Sequence, residues 1–478
     1  MLKAIRFICM SLSSIIIRNT RLRELSTLTV PLLVEHAFIT IMVLVNIAMV
    51  ASLGEDALAA AGHINSASLL PTALFAAMIT GGTVLVAQAI GAGDEEKAVS
   101  SGAQAVALAT AFSLCLSIFM AVFQRPLITV LFGDSDPAMV EAGLIYFTYI
   151  NWSLPFLAVA QTIFGVMRGA GDVKNPMMIT LIMNGVNIVL SYALIIGISV
   201  PFTNISTPSF GMHGAGFAIM IARLVGVVLA VAFALSKKSV IRLNKWQLYK
   251  PTKAIQKDIL TLGVPTGMEQ VLFQVGRLLA QMMIIGMGTA AMAANVVAMN
   301  IMGLIMLPGN AITISIMVMV GQRVGRKEYG DISRITMFSC WVTGISMGVL
   351  NLILLPFGNL IGLSFNLDAE SLVYFRWLYL SLIIGGPFLW PLSFIIPSAL
   401  RAVKDVTFIM VASVVTMWFF RIVIGYYLGI TLGLGVLGIW IGLYGDWGSR
   451  SVLFWIRMRR KKWLQKMIAE EKGVTNNI

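Results

Sequence analysis

The sequence predicts an all-α integral membrane protein, with twelve transmembrane helices in two six-helix bundles related by a pseudo-two-fold axis along the membrane normal. Three observations predict it. Of 478 residues, 58% are hydrophobic and only 12% are charged, about half the charge that a water-facing surface carries; mean hydropathy is +0.89. Apolar stretches long enough to cross a bilayer recur along the whole chain. The second half of the chain also repeats the first. Composition alone excludes a soluble enzyme, a disordered chain and a disulfide scaffold. Cys9, Cys115 and Cys340 lie far apart in apolar runs, so neither a bridge nor a metal site is expected from them.

A helix needs about 20 apolar residues to span the hydrocarbon core. Such stretches run roughly over 28–50, 64–90, 98–123, 140–166, 176–200, 214–236, 259–287, 293–320, 335–361, 372–399, 407–428 and 434–456. Breaks between them carry turn residues, as in Gly91-Ala92-Gly93-Asp94 and Gly169-Ala170-Gly171-Asp172. No alternating pattern suggests a barrel. Residues 1–24 mix Ile and Leu with Lys3, Arg6, Arg18, Arg21 and Arg23 and lack a small-residue cleavage site, so a helix lying on the membrane surface is expected there.

Charge sets the expected topology. With the N-terminus cytoplasmic, the cytoplasmic segments hold 28 of the 34 Lys and Arg residues and the opposite loops hold only Arg125, a strong positive-inside bias. It accounts for the net charge of +13, and no nucleic-acid partner is needed to explain it. Seven of these charges fall in 237–258 and seven after Trp455. The organisation read from this is a basic amphipathic segment (1–24), an N-terminal bundle (25–236), a basic cytoplasmic linker (237–258), a C-terminal bundle (259–456) and a basic cytoplasmic tail (457–478).

The repeat is explicit. Leu28-Thr29-Val30-Pro31 with Glu35 returns as Leu262-Gly263-Val264-Pro265 with Glu269. Val86-Ala87-Gln88-Ala89-Ile90-Gly91 returns as Val320-Gly321-Gln322-Arg323-Val324-Gly325. Arg168 with Asp172-Val173 returns as Arg401 with Asp405-Val406, and Gly211-x-x-Gly214 as Gly435-x-x-Gly438. Six spans per half make the repeat parallel, an architecture found in transporters that rock two bundles about a central cavity.

On these residues the chain resembles the multidrug and toxic compound extrusion family over about 24–456. The most specific marker is Met167-Arg168-Gly169-Ala170-Gly171-Asp172-Val173-Lys174-Asn175-Pro176, supported by Gln88-x-x-Gly91, Pro31 and Asn184-x-x-Asn187. The resemblance implies proton- or sodium-driven export of amphipathic, cationic small molecules. It also implies a bacterial inner-membrane protein with both termini cytoplasmic, expected as a monomer, whose partners are a small-molecule substrate and the bilayer. No cofactor is implied beyond the coupling ion. The alternative is a flippase or exporter of lipid-linked or anionic substrates in the same broad superfamily, which the interior arginines keep open. No P-loop occurs, and the nearest aspartate pair, Asp134 and Asp136, lies on an expected outer loop, so an enzyme such as a prenyl transferase is not expected.

The candidate site residues follow from charge at bilayer depth, which is costly and therefore functional by default. Glu35 and Glu269 each stand four residues after a helix proline, at equivalent places, and either could carry a proton. Arg277, two turns beyond Glu269, is the expected partner of that carboxylate. Asp446 and Arg450 are spaced to pair on one helical face. In many family members an aspartate stands where this chain has Asn46 and another where it has Ser191; Asn46, Asn187 and Ser191 still offer neutral oxygens to a cation. Arg277, Asn184 and Gln161 are candidates for the substrate cavity. Arg168, Gly169, Gly171 and Asp172 are expected to form a tight structural loop. His36, His63 and His213 are isolated in sequence, and no metal site is expected.

Overall fold

The computed structural model describes residues 20–133, 135–197, 209–244 and 249–471. The surface helix expected over 1–24 falls almost wholly outside the described residues, as do 245–248 of the linker and the end of the tail. Among the described residues there is no strand. The first half contains α1 (Thr20–Ala51), α2 (Glu55–Gly91), α3 (Glu95–Val122), α4 (Gln124–Phe132), α5 (Pro137–Gly169), α6 (Lys174–Ser191) and α7 (Gly211–Leu235). The second contains α8 (Lys253–Ile285), α9 (Thr289–Ile305), α10 (Leu307–Gly325), α11 (Tyr329–Leu354), α12 (Gly358–Ser364), α13 (Ala369–Ala402), α14 (Val406–Thr416), α15 (Gly435–Arg459) and α16 (Lys462–Glu471).

Nine helices of the described residues are long and apolar enough to cross a membrane, and α9 with α10, bent by 45° at their junction, makes a tenth. Pro308, in the first turn of α10, lacks the N–H that would continue α9 and accounts for the break. The other two long helices, α8 and α15, carry interior charge: Glu269 and Arg277 in one, Asp446 and Arg450 in the other. Three helix starts are set by aspartates. Asp94 accepts from Lys97 N at 2.9 Å, Asp136 from Ala138 N at 2.8 Å and Asp368 from Ser371 N at 2.9 Å, each satisfying a first-turn amide that has no helical partner.

The chain divides into two compact units, Val34–Gly267 and Met1–Leu33 with Met268–Ile478. The division falls inside α1 and α8, in each case two residues after the helix proline, Pro31 or Pro265. Residues 20–33 are tied into the second unit: Arg21 pairs with Asp331 at 2.8 Å and Glu24 with Arg323 at 2.6 Å, while Thr29 Oγ1 donates to Ser315 Oγ at 3.0 Å. Residues 253–267 are tied into the first, where Gln256 donates to Gln104 at 3.1 Å.

Taken separately, the units pack the same neighbours. In the first, α2 packs on α3 and α5, α5 on α3 and α7, and α6 on α7. In the second, α10 packs on α11 and α13, α13 on α11 and α15, and the segment after α14 on α15. Close approach rests on small residues, as between helices in lipid generally: a Cβ on Gly165 would lie 2.7 Å from Thr83 Oγ1, and one on Gly102 2.9 Å from Val166. Left-handed turn positions repeat as well. Gly93 (φ 75°) and Gly171 (φ 90°) correspond to Lys327 (φ 61°) and Lys404 (φ 63°), so the second half holds lysine where the first uses the residue that adopts this conformation without strain.

The Gly-x-x-Gly repeat has the same job in both halves. Gly211 and Gly435 open α7 and α15 with φ 54° and 60°. Gly214 and Gly438 lie against backbone: a Cβ on Gly214 would sit 2.5 Å from Leu194 O, and one on Gly438 would collide with the Gly429 amide. Both contacts are to π-helical segments, Tyr192–Ile196 and Tyr427–Thr431. Gly214→Ala and Gly438→Ala should each destabilise the purified protein by about 1–3 kcal/mol through overpacking. Gly185→Ala, where the space is open, should be neutral or stabilise by up to about 1 kcal/mol. Thermal unfolding in detergent measures the difference, and equal effects at all three positions would contradict the close-approach account.

Candidate functional site

Each unit buries a carboxylate just after its proline and neutralises it with the arginine of its repeated loop. In the first unit, Arg168 Nη2 donates to Glu35 Oε1 at 2.6 Å, and Thr180 Oγ1 donates to the same oxygen at 3.1 Å. In the second, Arg401 Nη2 donates to Glu269 Oε2 at 2.7 Å. Glu35 is 2% exposed and Glu269 4%. The pairs stand at equivalent places: 35 and 269 are offset by 234, 168 and 401 by 233. A guanidinium against a carboxylate is what makes burial of either charge tolerable. Both pairs keep unused polar atoms, since Glu35 Oε2, Arg168 Nε and Arg401 Nε are buried without a hydrogen-bond partner.

The loop holding Arg168 differs in detail from the sequence expectation. Gly171 makes the left-handed turn, but Gly169 is still helical, and its role is closeness: a Cβ there would lie 2.6 Å from Thr83 O. Asp172 does not pair with Arg168. It caps α6, accepting from Asn175 N at 3.2 Å and Asn175 Nδ2 at 2.7 Å. In the second half the corresponding Asp405 instead accepts from Arg457 Nε at 2.7 Å and Nη2 at 3.1 Å. Arg168 is therefore an ion-pair partner of Glu35 as well as a loop residue. The spacing of 133 residues between them gave no local signal, although the repeat did: wherever the proline–glutamate match occurs, the arginine match occurs too.

Arg277 is not the partner of Glu269; Arg401 occupies that position. Arg277 instead lines a cavity of about 470 Å³ in the second unit, together with Arg421 and polar side chains that include Asn295 and Gln274. The walls include Trp390, Trp440 and Trp447. Asp446 sits behind the cavity, fully buried, holding Arg450 at 3.0 Å, Arg421 at 3.4 Å and the Thr416 hydroxyl at 3.2 Å. The expected Asp446–Arg450 pair thus forms, with a second arginine added. Arg421 is carried by a π-helical segment, Met417–Ile424, a form that concentrates at functional sites.

In the first unit Asn184, Asn187 and Ser191 are each 2% exposed and share one face of α6. Asn187 Oδ1 and Asn184 Nδ2 are buried without partners. Asn46 and Gln161 are only partly buried, and no hydrogen bond joins either to these three among the described residues. Arg223 donates to Ser153 Oγ at 2.6 Å. Among the described residues no group of three or more His, Cys, Asp or Glu side chains converges as a metal site.

The family model described as MatE matches residues 31–193 and 265–427, one stretch per half, both ends offset by 234. This chain belongs to the MatE family. Its members are transport proteins rather than enzymes, and the chain is a multi-pass membrane protein. An uncharacterised transporter of Bacillus subtilis, YisQ, is 26% identical over 93% of this chain and 96% of its own length. A probable multidrug resistance protein of Thermotoga maritima, NorM, is 25% identical over 95% of each chain. The solved structure of a Vibrio cholerae MATE transporter covers 93% of this chain and 98% of its own at a TM-score of 0.81 and 20% identity, a likeness of fold.

Removing one member of a buried pair should cost more than removing both. Arg401→Gln leaves Glu269 buried without its counter-charge and should destabilise by about 3–5 kcal/mol. Glu269→Gln combined with Arg401→Gln should recover most of that loss. Thermal midpoints of the two single variants and the double variant measure it, and a double variant as unstable as Arg401→Gln alone would contradict the pairing.

Proposed function

We propose that this chain is a secondary active exporter of amphipathic small molecules, driven by protons, in which two six-helix bundles rock about a central cavity. The reading takes twelve crossings, counting α8 and α15 with the ten apolar ones, and places both termini and the linker on the cytoplasmic side of the bacterial inner membrane. The basic charge of the linker and tail supports that orientation. The observation that carries the mechanism is the twin acid–arginine pair, Arg168–Glu35 and Arg401–Glu269. A carboxylate inside a low-dielectric bundle stays charged while a guanidinium faces it; when the guanidinium withdraws, it holds a proton instead. Each pair is therefore a two-position element that a conformational change can load and unload. Glu269 is the first candidate carrier and Glu35 the second.

Protons are favoured over sodium because Asn46, Asn187 and Ser191 offer only neutral oxygens, whereas a hard cation is held best with carboxylates among its ligands. The names of the relatives support export of multiple drugs: the Thermotoga maritima homologue is described as a probable multidrug resistance protein. The test uses everted membrane vesicles from a pump-deficient host, loaded in turn with ethidium and carboxyfluorescein as cationic and anionic probes. A protonophore should abolish transport and a sodium ionophore should leave it unchanged; Glu269→Gln should slow it at least tenfold. Collapse on loss of the sodium gradient, or full proton-driven transport by both Glu269→Gln and Glu35→Gln, would contradict the reading.

A further inference from the structure

The cavity of the second unit carries an excess of positive charge. No aspartate or glutamate lines it, while Arg277 and Arg421 both do. Arg277, which is exposed, and Arg421, which is partly buried, stand near the ion pairs Arg401–Glu269 and Arg450–Asp446, while the unit's other buried charges, Arg323 and Asp405, are paired with Glu24 and Arg457. Glu269 is taken by Arg401 at 2.7 Å and Asp446 by Arg450 at 3.0 Å. Arg450 is further held between the rings of Phe273 and Phe394, 4.9 and 5.0 Å from their centres. Arg421 keeps only a looser contact with Asp446, at 3.4 Å, and its Nε has no partner. Arg277 makes no ion pair among the described residues. Among the described residues Arg277 thus reaches the cavity with no carboxylate partner, and Arg421 shares its one carboxylate with Arg450.

The remaining polar groups also point to a ligand that accepts hydrogen bonds. Trp447 lines the cavity, is 2% exposed and has an Nε1–H with no acceptor. Trp440 Nε1 donates to Asn295 Oδ1 at 3.0 Å; an indole can only donate, so this contact fixes the amide and leaves its NH₂ as the free end. Charged and polar donors held in an apolar surround are expensive unless a partner supplies the acceptors and the counter-charge. The walls, among them Trp390 and Phe394, suit an apolar body, and about 470 Å³ lies within the range of small-molecule sites.

We propose that this cavity binds an amphipathic organic anion, a carboxylate or sulfonate on an aromatic or alicyclic body, with Arg277 and Arg421 as its charge partners. The proposal rests on the export reading and reverses the substrate charge that the family resemblance implies. It is tested by equilibrium binding to the full chain in lipid nanodiscs, with empty nanodiscs subtracted. The probes are radiolabelled 2-naphthoate and (2-naphthylmethyl)trimethylammonium, which share an aromatic body and differ in charge. The naphthoate should bind at least tenfold more tightly. Arg277→Gln should weaken it at least tenfold, Arg277→Lys should restore most of that loss, and Arg376→Gln, whose arginine contacts Asn359 away from the cavity, should change nothing. Equal or tighter binding of the cation, no binding of naphthoate, or full naphthoate affinity in Arg277→Gln would overturn the proposal. Gradient-driven uptake measured on the same protein separates the two ideas. Naphthoate bound through Arg277 while neither probe is transported upholds the site and removes the export reading; cation transport without naphthoate binding does the reverse.

Discussion

Burying a carboxylate at membrane depth is the constraint on which the rest of this structure depends. Glu35 and Glu269 each follow a helix proline by four residues, just where α1 and α8 join the unit that holds their second half. Neither acid could stay there charged without a counter-charge. That counter-charge comes from the far end of the fourth long helix of the same unit, through Arg168 or Arg401. The requirement places the loop, since the arginine must reach inward while the chain turns back to start the next helix. Gly171 makes the turn in one half and Lys404 makes it in the other. Close packing of Gly169 on Thr83 then fixes the arginine-bearing end of α5 against α2.

The halves share this device and differ in what surrounds it. In the first unit the Glu35 pair is joined by a threonine hydroxyl, and the polar face of α6 presents only neutral groups, Asn184, Asn187 and Ser191. In the second unit Arg421, Arg450 and Asp446 form a further ionic group beside the Glu269 pair, and the cavity is lined by exposed Arg277 and by Arg421, which a π-helical segment carries. Both halves keep the pair; beyond it the first unit adds Arg223, held by the Ser153 hydroxyl, and the second adds a cluster of arginines around Asp446 beside a ligand-sized cavity.

Much of the fold was legible in the sequence because membrane helices are written in composition and punctuation. Where they fall among the described residues, the expected apolar stretches lie in helices, nine or ten of them apolar enough to cross a membrane, and capping acids such as Asp94 and Asp136 lie at the starts that the turn residues mark. What composition could not give is which helices pass as apolar: α8 and α15 carry the very charges that make them interesting. The site was legible in its members but not in its pairings. Glu269 and Arg277, eight residues apart, looked like partners because helical spacing is the only distance a sequence reports. The real partner, Arg401, is 132 residues away. Internal repetition was the signal that could have found it, because the proline–glutamate and arginine–aspartate matches recur together. Asp446 with Arg450 was readable because four residues on one helix bring side chains together without help from the fold.

The account's central claim is that the buried carboxylates, and Glu269 before Glu35, exchange a proton as their arginines approach and withdraw. Infrared difference spectroscopy of the protein in lipid, recorded between alkaline and acidic buffer, reads the carbonyl stretch of a protonated buried carboxyl directly. The account predicts a band that appears on acidification, is largely lost in Glu269→Gln, and disappears when Glu35→Gln is added. An acid-induced band that survives unchanged in the double variant would contradict it.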